Sequence, residues 1–267
     1  MKKWIAMILA LTMMFTLAAC GGNDSAADEG GEDAALVYAV EAGSAGEAAA
    51  LENSWEINSV VDQATALMEV ASGTSDAAII DLLMAGAMIG EGTSYPDLTY
   101  TDKLTTEEYG VGCRKGSDLV DVINAVFSAT YADGSMKEIA KKYGVQESLC
   151  EQPAGLSWAA APGGDVEAIQ AAGKLVVGIT EFAPMDYKEA GSDEWIGFDA
   201  DMARLVAEEL GVDIEFVVID WDMKINEVNA KNIDCVWNGM TLTNEVTSAM
   251  DCSAPYCNNA QVVVVAK

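Results

Sequence analysis

Three short segments place charged or hydroxyl side chains where predicted strands end or helices begin. In the first, Asp81 follows the apolar residues 77–80 of a predicted buried strand. An unpaired carboxylate is costly beside such a strand, so Asp81 requires a cationic partner. A cationic ligand group meets that need. The alternative is that Asp81 caps a helix that begins at Leu82.

The second segment is a predicted helix start at Ser44. Glu47 follows Ser44 by three residues, which is the spacing of a capping box. In that arrangement the serine oxygen satisfies a free backbone N–H group and the glutamate reaches back toward the cap. The same free N–H groups and the positive end of the helix dipole also make such a turn an anion site. The spacing therefore predicts capping, either alone or together with a ligand contact.

The third segment, residues 238–243, follows another predicted strand and contains a glycine between polar side chains. Gly239 permits a close approach between the backbone and a ligand, and Thr241 and Thr243 supply hydroxyl groups. Trp221 and Trp237 flank strand ends. Packing in the core is the first expectation for both rings, and lining a pocket is the second.

Enzymatic chemistry has few candidates in this chain. The 267 residues contain no histidine, the cysteines and acids lack the spacing of a metal site, and no nucleophile stands beside a base. We expect neither a metal nor a cofactor. An enzyme would require acids such as Asp81, Glu181 and Asp186 to converge as general acid and base.

The elements that position these residues alternate between strands and helices. Such alternation predicts parallel sheets covered by helices, arranged as two α/β lobes with a ligand cleft beyond the carboxyl ends of the strands. The predicted strands are 36–40, 76–81, 174–180, 213–220, 234–239 and 261–267, with a hairpin at 187–198. The predicted helices are 45–53, 61–73, 165–172, 199–210 and 223–230, with two amphipathic helices between residues 119 and 143.

The first 35 residues indicate export and anchoring. Two lysines precede an apolar run from Trp4 to Leu17, which is too short to span a membrane, and Ala-Ala-Cys-Gly follows at residues 18–21. This pattern predicts a lipoprotein signal peptide over residues 1–19, with Cys20 as the lipidated first residue of the mature protein. Residues 20–35 are small or acidic and predict a flexible tether. We therefore expect a protein anchored by lipid to the outer face of a bacterial membrane.

The net charge excludes one class of partner, and the cysteine count bears on disulfide bonds. The formal net charge is −29, which excludes nucleic acid as a partner. Five cysteines remain besides Cys20. Their number is odd and no pairing follows from spacing, although Cys252 and Cys257 are a candidate pair.

Longer motifs resemble a known family. The segments GKLVVGIT, EWIGFDADMARLVAEELG, NIDCVWNGMTLTNE and APYCNNAQVVVV resemble the first lobe of the polar amino-acid binding proteins (family 3) of ABC importers. The segments VEAGSAGE, SDAAIID, EEYGVGCRKGSDL and YADGSMKEIAKKYG resemble the second lobe and closing helices of the same family. The resemblance implies a protein that captures an amino acid and delivers it to the permease of an importer.

The resemblance also implies roles for individual residues. Asp81 would bind the ligand ammonium group, the helix start at Ser44 and the turn 238–243 would meet its carboxylate, and Phe182, just before Pro184, would cover it. Family members carry an arginine at the position of Val246, so the strongest carboxylate contact is missing here; Arg114 and Arg204 match other positions. The expected ligand contacts are Ser44, Ala45, Asp81, Phe182, Trp221, Asn238, Gly239, Met240, Thr241 and Thr243.

The order of the motifs is reversed relative to the family, so the chain resembles a circular permutant. The predicted lobes are residues 36–116 and 117–267, with a linker at 146–163. The chain ends should then lie at one hinge crossing, leaving a single covalent strand near residues 109–114 between the lobes. An exchanged dimer or an artefact of the gene sequence is the alternative, and the intact lipobox weighs against an artefact.

Two further functions remain open at this stage. A sensor lipoprotein could keep the fold without uptake, and a dehydratase-like enzyme could use the same fold, because fold does not determine function. Saturable amino-acid binding favours the importer protein. Turnover of a bound acid favours the enzyme, and the absence of any stabilising ligand favours the sensor.

Overall fold

A computed structural model describes residues 35–267, whose longer strands form two five-stranded sheets. The predicted signal peptide at 1–19, the lipidation at Cys20 and all of the tether except Ala35 lie outside the described residues. Among residues 35–267, none of the helices combines the length and apolarity that a membrane span requires.

The strands and helices follow one another along the chain with these bounds. The strands are β1 Val37–Glu41, β2 Glu56–Val60, β3 Ala77–Asp81, β4 Leu98–Lys103, β5 Glu107–Tyr109, β6 Gly112–Cys113, β7 Lys174–Ile179, β8 Tyr187–Lys188, β9 Trp195–Ile196, β10 Asp213–Val218, β11 Cys235–Val236, β12 Asp251–Cys252, β13 Cys257–Asn259 and β14 Gln261–Ala266. The helices are α1 Ala45–Glu52, α2 Gln63–Ser72, α3 Leu82–Met88, α4 Leu119–Asp133, α5 Ser135–Lys142, α6 Asp165–Ala172, α7 Phe198–Leu210, α8 Lys224–Asn229 and α9 Asn244–Ala249. Short 3₁₀ helices occupy Gln146–Ser148 and Trp221–Met223.

The first sheet has the strand order β2-β1-β3-β14-β4, and together with α1–α3 it forms what we call the first lobe, numbered by its order along this chain and not by the order of lobes in the family that the sequence resembles. Strands β1, β2 and β3 are parallel, whereas β14 runs antiparallel between β3 and β4. All five residues of β3 are buried. This explains why residues 77–80 are all apolar, because a strand covered on both faces has no polar side.

The second sheet has the order β10-β7-β11-β6-β12, and with α4–α9 it forms the second lobe. Strands β10, β7 and β11 are parallel, and β6 runs antiparallel to its two neighbours, β11 and β12. The core of the second lobe contains Phe127, Phe198, Trp237 and Tyr256. Their rings pack edge to face, tilted or stacked. The expected core role of Trp237 is therefore confirmed, since its side chain is fully buried.

Two strands connect the lobes, so the predicted single connection is wrong. Strand β5 leads from β4 to β6, β13 leads from β12 to β14, and the two pair antiparallel over three residue pairs. Lys267, which was expected at this crossing, does not lie there either. Strand β14 begins opposite Asp81 and ends beside the start of β3, so Lys267 lies at the opposite end of the first sheet. The circular permutation itself remains a prediction.

Most predicted elements are present, with shifts of one to three residues at their ends. Helix α6 has the predicted bounds, and the predicted helix 223–230 continues a 3₁₀ turn at Trp221–Met223. Strand β2 was not predicted because its sequence EINSV is mostly polar, and its residues are exposed or half-buried. Strand β14 lies in the first sheet rather than with the rest of residues 117–267, to which the predicted division assigned it.

The cysteines of the described chain are all free, so the candidate disulfide between Cys252 and Cys257 is wrong. Cys252 lies in β12 at the edge of the second sheet, and Cys257 lies in the crossing strand β13. Cys257 is buried and pairs with Tyr109 in the ladder of the crossing strands. It therefore behaves as a small core side chain.

Candidate functional site

A cavity of about 700 Å³ opens between the two lobes at the carboxyl ends of β1 and β3. This is where an open parallel sheet is expected to bind a ligand. Its first-lobe wall includes the ends of these strands and the start of α1, and its second-lobe wall includes the turn 238–243 and the start of α9. Nine of the ten expected ligand contacts line it: Ser44, Ala45, Asp81, Trp221, Asn238, Gly239, Met240, Thr241 and Thr243.

The helix start on the first-lobe wall has the predicted serine cap, and the Glu47 side chain reaches back to the residue before the cap. The Ser44 Oγ accepts from the Glu47 N–H at 3.0 Å, and the Glu47 Oε2 accepts from the Gly43 N–H at 2.8 Å. Ala45 is the first residue of α1 and lines the cavity. Amides of a first helical turn have no partner within the helix. The turn can therefore receive an anionic ligand group in addition to its cap.

Asp81 is buried at the end of β3 and is surrounded by donors. Its carboxylate accepts from the Tyr109 hydroxyl at 2.7 Å, from the Gln63 Nε2 at 2.5 Å and from the Asn259 side-chain amide. The alternative role as helix cap is wrong, because Asp81 makes no side-chain bond to the amides of α3. Burial, and then the nearby charge of Glu107, raise the pKa of Asp81 to about 7.

Glu41 forms a second buried acid beside Asp81, and the sequence analysis missed it. It ends β1 as Asp81 ends β3, and the Gln63 amide lies between their carboxyl groups. Its Oε1 is buried without a hydrogen-bond partner. Burial, and then the charge of Asp81, raise the pKa of Glu41 to about 8. The signal that could have revealed it is a polar residue that closes the apolar strand VYAVE.

Glu107 in the crossing strand β5 also lines the cavity. Its Oε2 accepts from the Thr241 hydroxyl at 3.1 Å, from the Asn259 Nδ2 at 3.2 Å and from the Gln261 Nε2 at 3.0 Å. Glu107 therefore joins the second-lobe turn to the crossing strands. Its side chain is held by these bonds before any ligand arrives.

The turn on the second-lobe wall is rigid because its polar groups are already bonded. The Asn238 side chain bonds the Thr180 N–H and hydroxyl at 3.0 and 2.7 Å. The Gly239 N–H donates to the Asp199 Oδ2 at 2.6 Å, and the Thr243 hydroxyl caps α9 by accepting from the Val246 N–H at 3.2 Å. The turn thus presents a fixed surface to the cavity.

Phe182 does not line the cavity, so its expected role as a cover for the ligand is not matched by its position. The ring lies beneath the turn, is 2% exposed and packs edge-on against Tyr109. Gly239 makes this packing possible, since a Cβ atom there would lie 2.2 Å from the Phe182 ring. Phe182 therefore supports the turn from below.

Most cationic side chains of the described residues lie away from the cavity. Val246 is 3% exposed and brings no charge. Arg114 pairs with Asp165 and Asp234 inside the second lobe, and Arg204 pairs with Asp201. Among the described residues that line the cavity, Lys224 is the one lysine or arginine. No local sequence pattern marks Lys224 as a site residue.

The acids that an enzyme would require do not converge. Asp81 lines the main cavity, Glu181 lines a separate cavity of about 410 Å³, and Asp186 is fully buried with both oxygens unpaired. Burial, and then the neighbouring Asp199, raise the pKa of Asp186 well above its ordinary value. Within residues 35–267, no three His, Cys, Asp or Glu side chains are grouped to hold a metal ion.

Residues 175–267 match the family model described as bacterial extracellular solute-binding proteins, family 3. The arginine-binding extracellular protein ArtP of Bacillus subtilis is 33% identical over 95 residues, which are 35% of this chain and 36% of that protein. A probable histidine-binding protein of Neisseria gonorrhoeae is 36% identical over 88 residues, which are 33% and 32% of the two chains. The chain thus spans about a third of the length of the curated relatives it matches.

Solved structures of similar sequence include a substrate-binding protein of a polar amino acid ABC uptake transporter from Streptococcus thermophilus. It is 37% identical, with a TM-score of 0.30, over 31% of each chain. The match to the family model covers the segment from β7 to β14.

Proposed function

We propose that this chain is an extracytoplasmic solute-binding protein that captures an amino acid between its two lobes and delivers it to a membrane importer. The observation that carries the proposal is the cavity at the ends of β1 and β3. One wall holds the buried acids Glu41 and Asp81, and the helix start at Ser44 lies nearby. A cationic and an anionic ligand group thus have separate positions in one enclosed space.

The acidic wall suits an ammonium group. The unpartnered Glu41 Oε1 and the remaining acceptor capacity of Asp81 can accept the N–H groups of an ammonium ion. A charge-assisted hydrogen bond of this kind contributes about 1.5 to 3 kcal/mol. Closing the lobes about the crossing strands β5 and β13 would then bury the ligand, a hinge motion that binding proteins of this architecture use.

The anchoring and the chain order are part of the same proposal. The N-terminal lipobox supports attachment through Cys20, which would keep the protein near the permease that it serves. The reversed order of the family motifs supports a circular permutation. Mass spectrometry of the exported protein tests the anchor, because a lipidated Cys20 adds the mass of a diacylglyceryl group.

The proposal is tested by ligand-induced stabilisation of the full-length protein in mild detergent, against the twenty standard amino acids. A ligand at 100 times its Kd stabilises the native state by about 2.7 kcal/mol. We expect at least one amino acid to raise the Tm and Asp81→Asn to abolish the shift. Asp213→Asn is the matched control, because Asp213 is exposed at the start of β10.

The other outcomes separate the alternatives. If no amino acid stabilises the protein, the importer function is wrong and a sensor role takes its place. Turnover of a bound acid would instead favour the dehydratase-like enzyme. If Asp213→Asn weakens binding as much as Asp81→Asn, the binding site is not the cavity described above.

A further inference from the structure

Lys224 occupies an unusual position for a lysine. It begins α8, is 7% exposed and lines the cavity between the lobes. Lysine side chains are almost never fully buried unless they have a partner. The partners of Lys224 therefore indicate what this charge does.

The Lys224 ammonium group has two protein acceptors, and both are neutral. Its Nζ donates to the Gly43 carbonyl at 2.7 Å and to the Trp221 carbonyl at 3.2 Å, and it lies 5.0 Å from the centre of the Trp221 ring. An ammonium group has three N–H donors. Among the described residues, no carboxylate lies within ion-pair distance of it.

We propose that Lys224 is the carboxylate-binding group of this cavity. The proposal rests on the proposed amino-acid binding. The third N–H of Lys224 would donate to a ligand carboxylate, beside the start of α1. The bond to Gly43 brings the charge to within one residue of Ser44, whose helix start supplies the neighbouring amides.

The position of Lys224 also connects carboxylate binding to the contact between the lobes. Lys224 belongs to the second lobe and Gly43 to the first, so their hydrogen bond crosses the cleft. Gly43 has a φ of +71°, and a Cβ atom there would lie 2.7 Å from the Asp222 Cα. The backbones of the two lobes are therefore close together at this point. A carboxylate held by Lys224 would lie where the closed lobes meet.

Burial lowers the pKa of Lys224, whereas the charges of Glu41, Glu245, Asp222 and Glu47 oppose that shift. These acids offer a competing explanation, in which Lys224 only balances the negative charge of the cavity. The two roles differ in one measurable respect. A balancing charge would affect every ligand alike, whereas a carboxylate partner would affect only ligands that have a carboxylate.

The test compares acids with their amides on two proteins. Binding of L-arginine, L-histidine and each other standard amino acid that stabilises the full-length protein is measured by calorimetry, beside the matching α-carboxamide. We expect Lys224→Met to weaken binding of the amino acids by about tenfold to a hundredfold, the usual range for a charge-assisted hydrogen bond. Binding of the carboxamides should change by less than about threefold.

Two further variants make the result specific. Lys224→Arg should restore most of the preference for the carboxylate, because it restores the charge and its donors. Lys174→Met is the matched control and should change neither affinity. Lys174 is an exposed residue of β7 and pairs with Glu215 of β10. The fold of each variant is checked by its cooperative thermal transition.

The outcomes separate this inference from the function on which it rests. Equal weakening of acids and carboxamides by Lys224→Met would overturn the carboxylate role while leaving amino-acid binding intact. Unchanged binding of both would overturn it as well. If the wild-type protein binds none of the twenty amino acids, the proposed function fails and the inference fails with it.

Discussion

Two pairs of buried acids lie on opposite sides of the turn 238–243, and they differ in their access to a ligand. The upper pair, Glu41 and Asp81, lines the cavity between the lobes. The lower pair, Asp186 and Asp199, is 0% exposed inside the second lobe. Burial is the first cause of the raised pKa in all four carboxyl groups.

The same desolvation therefore has two different results. A ligand cation can neutralise the upper pair, because the cavity admits it. No ligand reaches the lower pair, so protons must neutralise it. Asp199 is also stabilised by the hydrogen bonds that it accepts from the Gly239 N–H and the Tyr256 hydroxyl at 2.6 and 2.7 Å. Buried acids thus indicate a binding site only where a cavity reaches them.

Gly239→Ala should have the largest effect on stability. Gly239 lines the cavity, and its N–H donates to Asp199 of the lower pair. The new Cβ atom would meet the Phe182 ring at 2.2 Å, in a backbone with φ of +56°. Overpacking and left-handed strain together should cost about 2 to 5 kcal/mol in the free energy of unfolding, measured with denaturant. Gly73→Ala is the control, because Gly73 has a similar φ of +73° and open space around it. Equal losses in both variants would show that the ring contact is unimportant.

Glu41→Gln should weaken amino-acid binding by about tenfold, because it removes one charged acceptor of the upper pair. The unliganded protein should become more stable at pH 9, since glutamine cannot ionise. Calorimetry measures the affinity and thermal unfolding measures the stability. Glu56→Gln, at an exposed residue of β2, should change neither. A Glu41→Gln variant with full affinity would remove Glu41 from the site.

The affinity for an amino acid should rise between pH 6 and pH 9. Glu41 and Asp81 have pKa values of about 8 and about 7 in the unliganded protein, so an ammonium group must displace protons at neutral pH. Proton release, measured by calorimetry in buffers of different ionisation enthalpy, should fall as the pH passes 8. An affinity that is constant over this range would contradict the upper pair as the ammonium site.

The stability of the unliganded protein should move in the opposite direction. Both folded-state pKa values lie above those of ordinary carboxyl groups, so the folded protein binds more protons than the unfolded chain. The stability contribution is complete below about pH 4 and is lost as the pH rises through 7 and 8. Denaturant unfolding from pH 5 to pH 9 should therefore give a decreasing free energy. An increase would reverse the assignment of protonated acids.

Asp186→Asn should have the smallest effect on ligand binding. Asp186 has no hydrogen-bond partner for either oxygen, and its replacement should stabilise the protein in thermal unfolding at pH 9, because the folded state no longer has to keep a buried carboxyl group protonated. Ligand affinity should be unchanged, since Asp186 does not line the cavity. Loss of affinity would mean that the lower pair also affects ligand binding.

Some residues of the site could be predicted from the sequence, and others could not. The strand end at Asp81 and the capping box at Ser44 follow from local patterns, so their positions were predictable. Lys224 was missed because it begins a short helix without a distinctive pattern, and only the fold brings it beside Gly43. Phe182 was misplaced because its packing beneath Gly239 depends on a contact between distant segments.

The fold shows the same division between local and distant information. Helices and parallel strands could be predicted from periodicity. The pairing of β5 with β13 could not, since each is only three residues long and their partners lie far apart along the chain. This is why the number of strands between the lobes was predicted wrongly.

The place of β14 in the first sheet has a consequence for how the protein folds. This strand pairs with β3 and β4, whose residues lie in the first half of the chain, and it separates them in the sheet. The first lobe therefore cannot complete its sheet until β14, which lies far along the chain from β3 and β4, has been synthesised. Contacts so distant along the chain form slowly. The acids of the cavity wall lie at the ends of β1 and β3. The cavity should consequently be among the last features to form.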